Sequence, residues 1–173
     1  MIKGLETSPS ITIHLERAGS VFGRTYNCCP FPNLYAMLTR SKPVAIPDSV
    51  RKVLEGKNFV YLATTFPNGS PQVTPLWVDT DGEHVILNTA VGRVKHRNIQ
   101  KNPRIALAIA DWSNPYNFIQ IRGRVVEQIT GKAAEEHIDK LNMKYHGKPS
   151  YSKRPGEQRV ILKIVPERVS SWG

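Results

Sequence analysis

From residue 47 onward, short runs of alternating apolar and polar residues recur along the chain and are separated by turn signals. Alternation with a period of two is typical of half-buried β-strands, and Gly, Asn and Asp mark the turns between them. The pattern predicts six strands, at residues 58–65, 72–79, 83–89, 104–110, 118–129 and 159–165. The Asn68-Gly69 pair between the first two strands is a strong hairpin signal.

Helical spacing of apolar residues occurs only at the corners of this strand pattern. A first helix is predicted to be capped by Asp48 or Ser49 and to end at Gly56. Further helices are predicted over residues 94–101 and from Gly131 onward. Short antiparallel strands with helices between them favour a mostly β barrel over a parallel doubly wound sheet. No G-x-G-x-x-G motif is present to support a dinucleotide-binding sheet.

The first part of the chain differs in composition, because Gly, Pro, Ser and Thr interrupt every periodic pattern. We expect residues 1–45 to form a poorly structured extension and residues 46–173 to form one barrel domain. Weak alternation favours a short strand at residues 10–15. Our hypothesis is that Met37 is the native start.

Composition favours a soluble globular protein, since the 173 residues are 40% hydrophobic and 22% charged. No apolar run approaches the roughly 20 residues that span a bilayer, and no secretory signal is recognisable, so we predict a cytoplasmic location. The two cysteines, Cys28 and Cys29, are adjacent, which fits neither a disulfide framework nor a metal-binding pair. The histidines lack partners at metal-ligand spacing, and we expect no metal site.

Half of the net charge of +10 comes from one informative segment. Residues 84–110 contain no acidic residue and five basic ones, of which Arg93, Lys95 and Arg97 alternate where the short helix begins. Basic side chains beside the free N–H groups of a helix N-terminus predict a phosphate site, although a solvated basic helix is the alternative. Nucleic-acid readers usually add stacking aromatics or a reading helix, and no such motif is found. A small anion is therefore favoured over nucleic acid or a membrane surface.

The motif K-x-R-x-x-x-x-N-P-R, from Lys95 to Arg104, resembles the phosphate-binding segment of the pyridoxamine 5'-phosphate oxidase-like split barrels. The extended form G-R-V-K-x-R-N, which adds Arg93, resembles the branch that uses the deazaflavin coenzyme F-420. Segments 71–82, 114–127, 137–157 and 159–173 also resemble that family, in the same order. The resemblance implies a Greek-key split β-barrel that forms a homodimer and binds its cofactor in two equivalent clefts between subunits.

The resemblance also implies roles for individual residues. Arg93 and Lys95 are expected to bind the cofactor phosphate, whereas Arg97 and Asn98 either join them or bond within the helix. Asn88 and Thr89 end a strand beside this site, and Thr89 is the favoured donor of the two. Residues along the flavin or deazaflavin ring are expected to be Gln72, Thr74, Pro75 and Leu76.

Five aromatic residues are candidates for the substrate cleft or for contacts from the partner subunit. They are Trp77, Trp112, Tyr116, Phe118 and Trp172. Packing in the core or at a dimer interface, where aromatics are enriched, is the alternative for each of them.

The resemblance implies an oxidoreductase that uses reduced F-420 to transfer a hydride to an unsaturated small organic molecule. An FMN-binding oxidase or reductase of the same fold is the first alternative. A non-catalytic flavin- or deazaflavin-binding protein, or a basic module that binds nucleic acid, is the second. No catalytic residue is evident, and Tyr116, Lys144 or solvent could supply a proton.

Overall fold

A computed structural model describes residues 42–110, 114 and 116–172, and every structural statement below refers to these residues. The helices are α1 (Asp48–Glu55), α2 (Val94–Lys101) and α3 (Lys132–His146). The strands are β1 (Phe59–Thr65), β2 (Pro71–Thr80), β3 (Val85–Ala90), β4 (Arg104–Ala110), β5 (Phe118–Thr130) and β6 (Arg159–Trp172). They form a closed antiparallel barrel in the order β1-β2-β3-β6-β5-β4, which confirms the predicted fold class.

Alternation within the strands builds the barrel interior. One face of each strand carries branched apolar side chains that point inward and are almost fully buried. Examples are Val60 and Leu62 on β1, Leu87 on β3, and Leu162 and Ile164 on β6. Burial of each such side chain stabilises the fold by about 1.5–3 kcal/mol. The helices lie outside the barrel. A cleft on the outer surface is therefore lined by the outer faces of the strands and by the helices.

The last strand is longer than predicted, because β6 continues to Trp172 instead of ending near residue 165. Its pairing with β5 shifts register between Arg122 and Gly123, and again between Val125 and Glu127. Such irregularities break the alternation that identifies a strand in sequence. A Cβ atom on Gly123 would lie 2.3 Å from the carbonyl oxygen of Val165, so the strands approach too closely there for a side chain.

The ends of the helices test the predicted caps. The prediction that Asp48 or Ser49 caps α1 is wrong, because Pro47 is the N-cap residue and no side-chain cap bond forms. The bounds of α2 agree with the predicted 94–101. Helix α3 follows Gly131, whose positive φ of 76° suits glycine. The strand predicted at 10–15 lies outside the described residues.

Candidate cofactor site

A cleft of about 200 Å³ lies on the outer surface of the barrel, between the β2–β3 region, α3 and the chain before β6. Most of its wall is apolar and consists of Phe59, Pro75, Leu76, Trp77, Ile138 and Tyr151. The rest is polar and cationic and consists of Asn88, Arg93 and Arg159. The cleft is therefore divided into an apolar end and a cationic end.

The turn between β3 and α2 directs Arg93 into the cationic end. Gly92 has a φ of 78°, and Arg93, the N-cap residue of α2, keeps an extended backbone. The backbone N–H of Gly92 donates to Nδ1 of the buried His96 at 3.2 Å. The guanidinium of Arg97 donates to the carbonyl oxygen of Gly92. In this structure Arg97 thus stabilises the turn, which is the alternative that the sequence left open for it.

Helix α2 is held on the barrel by the side-chain amides of Asn98 and Asn102. Asn98 donates to the hydroxyl of Thr64 at 3.1 Å, and this hydroxyl donates to Gln72 at 3.3 Å. Asn102 donates to the hydroxyl of Thr65 at 2.9 Å. Gln72 and Asn98 therefore lie outside the lining of the cleft and anchor the helix that begins at the cationic end.

Two arginines of the cationic end share one carboxylate. Glu157 accepts a hydrogen bond from Nη1 of Arg159 at 2.6 Å and from Nη2 of Arg93 at 3.1 Å. Burial opposes the ionisation of Glu157, but the two arginines outweigh it and hold the pKa of this carboxyl below its ordinary value. Arg159 is 2% exposed, and its guanidinium lies 5.3 Å from the centre of the Tyr151 ring.

Sequence reasoning missed both Glu157 and Arg159. They lie more than 60 positions after Arg93 and reach the site because β6 pairs with β3, which places Arg159 opposite Ala90. The available signal was weak: a charged residue at the start of an otherwise apolar strand.

Lys95 adds a third cation that has no counter-ion among the described residues. Its side chain is buried, and the residue is only 9% exposed. Burial, followed by the nearby charges of Arg93 and Arg159, lowers the pKa of the ammonium group below its ordinary value. Arg93, Arg159 and Lys95 outnumber the carboxylates close to them, Glu157 and Glu135, and this excess of positive charge in a partly desolvated place is unfavourable unless an anion binds. The cationic end therefore fits an anionic group.

Asn88 lines the cleft, but its polar atoms are occupied. Its Nδ2 donates to the carbonyl oxygen of Ala134 at 2.9 Å and lies 3.2 Å from Nδ1 of His137. Its Oδ1 accepts from Nε of Arg159 at 2.8 Å. Asn88 thereby links β3 to α3 and fixes the orientation of Arg159.

The network continues away from the cleft through Asp79. The carboxylate of Asp79 lies 3.5 Å from Nε2 of His137 and accepts from Lys140 at 2.6 Å. Burial raises the pKa of Asp79, but the nearby His137 and the hydrogen bond from Lys140 outweigh it and hold this pKa well below its ordinary value. A permanently charged Asp79 keeps His137, and through it Asn88, in place.

Thr74 and Thr89 lie on the inner faces of their strands. Thr89 is fully buried and pairs with the equally buried Val160, and the hydroxyls of both threonines lack a partner in the described structure. Since side chains alternate between faces, Thr89 points into the barrel and Asn88 points toward the cleft. Asn88 therefore lines this cleft and Thr89 does not, whereas a contact from either threonine to a cofactor stays a prediction.

The aromatic candidates fall into two groups. Trp77 lies in the cleft and stacks on Tyr145, with ring centres 5.1 Å apart and planes 11° apart. Phe118 and Trp172 stack on each other at 4.6 Å where β5 and β6 pair, and Tyr116 is 85% exposed. Neither Tyr116 nor this stacked pair lines the cleft, and Trp112 lies outside the described residues.

Metal-ligand clusters and membrane-spanning helices were also sought. Within residues 42–110, 114 and 116–172, no group of three or more His, Cys, Asp or Glu side chains could hold a metal ion. No helix in the described part of the chain is long and apolar enough to cross a membrane.

A closed antiparallel barrel with external helices and a mostly apolar cleft that carries cationic residues has the split-barrel fold of the flavin- and deazaflavin-related oxidoreductases. Residues 46–173 match the family model described as pyridoxamine 5'-phosphate oxidase, and the chain belongs to this family. No curated protein matches the chain.

Solved structures agree with the family assignment. An F420 reductase is 32% identical to this chain, with a TM-score of 0.63, over 72% of this chain and 98% of that one. A conserved hypothetical protein from Mycobacterium tuberculosis is 22% identical, with a TM-score of 0.60, over 77% of this chain and 88% of the other. HupZ from Group A Streptococcus is 20% identical, with a TM-score of 0.53, over 73% and 93%. The last two show the fold alone.

Proposed function

We propose that this protein is an oxidoreductase that uses reduced coenzyme F-420 to transfer a hydride to an unsaturated small organic molecule. The observation that carries the proposal is a mostly apolar cleft whose lining includes Arg93 and Arg159, with the buried Lys95 close to both, so that positive charge is in excess there. A deazaflavin has a flat, largely apolar ring and an anionic tail, so its two parts match the two ends of the cleft. Its ring supplies the hydride when it is bound in the reduced form.

Residues of this chain would bind and orient both reactants. Arg93 and Lys95 would hold the phosphodiester, because charge-assisted hydrogen bonds are each worth about 1.5–3 kcal/mol. Pro75, Leu76 and Trp77 would lie along the ring and exclude water from it. Fixing ring and acceptor in one orientation is the main catalytic contribution that such a site can make.

The proton that follows the hydride needs a source. The ammonium of Lys144 donates to the backbone carbonyls of Leu54 and Val78, both at 2.8 Å, and is therefore directed away from the cleft. Tyr116 is exposed, and solvent is the simpler donor. We propose that the acceptor takes its proton from solvent or from Tyr116 of the partner subunit.

F-420 is preferred over FMN because the similar F420 reductase is 32% identical and is matched over 98% of its length. FMN is the alternative, and the description of the family as pyridoxamine 5'-phosphate oxidase favours it. A non-catalytic carrier would use the same cleft but would need no access for an acceptor.

We also propose that the functional form is a homodimer. The outer face of the β1–β2 hairpin carries Phe59, Tyr61 and Val73, which are 38%, 41% and 58% exposed. Cross-strand pairs join Phe59 to Trp77 and Tyr61 to Pro75, so this apolar face is continuous with the cleft wall. A second copy would cover it, and the aromatic residues Phe118 and Trp172 are proposed to reach the cleft of the partner.

Light scattering at micromolar concentration tests the dimer. We expect a dimer for the parent and a monomer for the double variant Tyr61→Glu, Val73→Glu, whereas Lys52→Glu on the exposed side of α1 should stay dimeric. A monomeric parent would contradict the two-subunit cleft.

Steady-state oxidation of reduced F-420 with a panel of enones and quinones tests the reaction. We expect turnover with at least one acceptor class. Binding of F-420 without turnover of any acceptor would indicate a carrier. Flavin absorbance in the purified protein, together with reduction of an acceptor that depends on FMN, would show that the cofactor is FMN and not F-420.

A further inference from the structure

Arg159 has the features of a ligand-binding residue although neither its motif nor its position in sequence points to one. It is 2% exposed, lies in the wall of the cleft and belongs to the first position of β6. A buried guanidinium is unfavourable unless its N–H groups are paired. The donors of Arg159 are only partly used within the described chain.

The geometry of its partners fixes the guanidinium in one orientation. Nε donates to Asn88 at 2.8 Å and Nη1 donates to Glu157 at 2.6 Å, while Nη2 has no hydrogen bond to any described residue. Because Glu157 also pairs with Arg93, the two guanidinium groups are held by the same carboxylate. The charge of Arg159 is also close enough to Lys95 to lower its pKa.

We propose that Arg159 is an additional anion-binding residue, which binds a phosphoryl group together with Arg93 and Lys95 through its free Nη2. Asn88 and Glu157 are its positioning residues. Glu157 also reduces the net charge of the three cations by one. This inference rests on the proposed function only in its choice of flavin-type ligands, since any phosphorylated compound would use the same residues.

Paired ligands that differ only in the anionic group test the role. Fluorescence titration would compare FMN with riboflavin, and F-420 with its chromophore lacking the phosphate-containing tail. For Arg159→Met we expect affinity for the phosphorylated member to fall about 10- to 100-fold and affinity for the other to change less than about twofold. Lys52→Met, which removes one exposed charge on α1, is the control and should change neither. Equal losses for both members would assign Arg159 to packing and overturn the proposal.

A variant that keeps the positive charge is needed in case Arg159→Met does not fold. Arg159→Lys cannot donate to Asn88, Glu157 and a ligand in the same planar arrangement, so we expect a loss of about 3- to 10-fold for phosphorylated ligands alone. Unchanged affinity for them in Arg159→Lys and Arg159→Met would overturn the proposal and leave the proposed function intact.

A probe without a ring separates the two proposals. If neither cofactor binds the parent but pyrophosphate raises its melting temperature, and Arg159→Met loses this rise, then Arg159 is confirmed and the proposed function is wrong. If neither the cofactors nor pyrophosphate bind the parent, both are overturned.

Discussion

The two ends of the cleft are built in different ways. At the cationic end the two arginines are fixed by other groups: Arg159 by Asn88 and Glu157, and Arg93 by Glu157. At the apolar end Trp77 is held by contacts with other rings, stacked on Tyr145 and edge-on to Tyr151, and Phe59 remains 38% exposed. The difference indicates that the proposed anion site is largely preorganised by this chain, whereas the proposed ring and substrate site would depend on what covers it. Affinity would then come mainly from the first end and specificity from the second.

The largest effect is expected at the cationic end. Replacing Arg93 and Lys95 together with Ala removes two charge-assisted contacts and should weaken binding of a phosphorylated cofactor at least about a hundredfold. The empty protein should be as stable as the parent or slightly more so, because like charges no longer repel each other. Isothermal titration and thermal unfolding of the same samples measure both quantities.

Lys101→Ala is the control for this double variant. Lys101 is exposed in the last turn of α2, so its removal should leave cofactor affinity nearly unchanged. If Lys101→Ala lost binding while the double variant kept it, the anion site would lie elsewhere along the helix.

A second variant tests the apolar end. Trp77→Leu removes the stacked ring but keeps an apolar side chain, and we expect a loss of about tenfold that is equal for FMN and riboflavin. Variants at the two ends should therefore differ both in how much affinity they lose and in whether the loss depends on the phosphate of the ligand. A loss confined to FMN would show that the two ends are not independent.

A third variant tests the preorganisation itself. Asn88→Ala leaves Nε of Arg159 and the carbonyl of Ala134 without their partner, which should lower the free energy of unfolding by about 1–3 kcal/mol. Affinity for phosphorylated ligands should fall about tenfold while affinity for riboflavin stays the same. Chemical denaturation and titration measure the two effects, and a stability loss without any change in selectivity would limit Asn88 to a structural role.

The smallest effect concerns the turn before α2. Burial, together with the charge of Arg97, lowers the pKa of His96 below its ordinary value, although a hydrogen bond with Gln128 opposes this. The unfolded chain therefore binds a proton at higher pH than the folded one. Stability from this group is complete above about pH 6.5 and is lost as the pH falls through the lowered value. His96→Gln should flatten that part of the stability profile, and an identical pH dependence in both proteins would contradict it.

Much of the barrel could be predicted because its strands alternate regularly and its turns carry glycine or asparagine. The predicted bounds of α2 agree with the structure because Pro103 marks the end of the helical segment. The extension of β6 to Trp172 could not be predicted, because a register shift against β5 leaves Glu167 unpaired in the ladder and disrupts the alternation beyond residue 165. The cap of α1 was misassigned since Asp48 and Ser49 are both good capping residues, and only the backbone shows that Pro47 occupies the position.

The site was only partly predictable for a different reason. Arg93 and Lys95 belong to one local segment, so their spacing carried the signal. Arg159 and Glu157 join them through the pairing of β3 with β6, which sequence spacing does not reveal. Gln72 and Asn98 look like ligands in sequence but hydrogen-bond to Thr64 in the structure, because α2 needs polar anchors on the barrel.

Titration of the parent protein at low and high salt tests the central claim most directly, with ring fluorescence reporting the binding of F-420 and FMN and quenching of tryptophan fluorescence reporting that of NADP. The account predicts saturable binding of F-420 that is tighter than binding of FMN or NADP and becomes weaker as salt increases. No binding of F-420, or binding that is independent of salt, would contradict the claim that the cationic end of this cleft holds the anionic part of a deazaflavin.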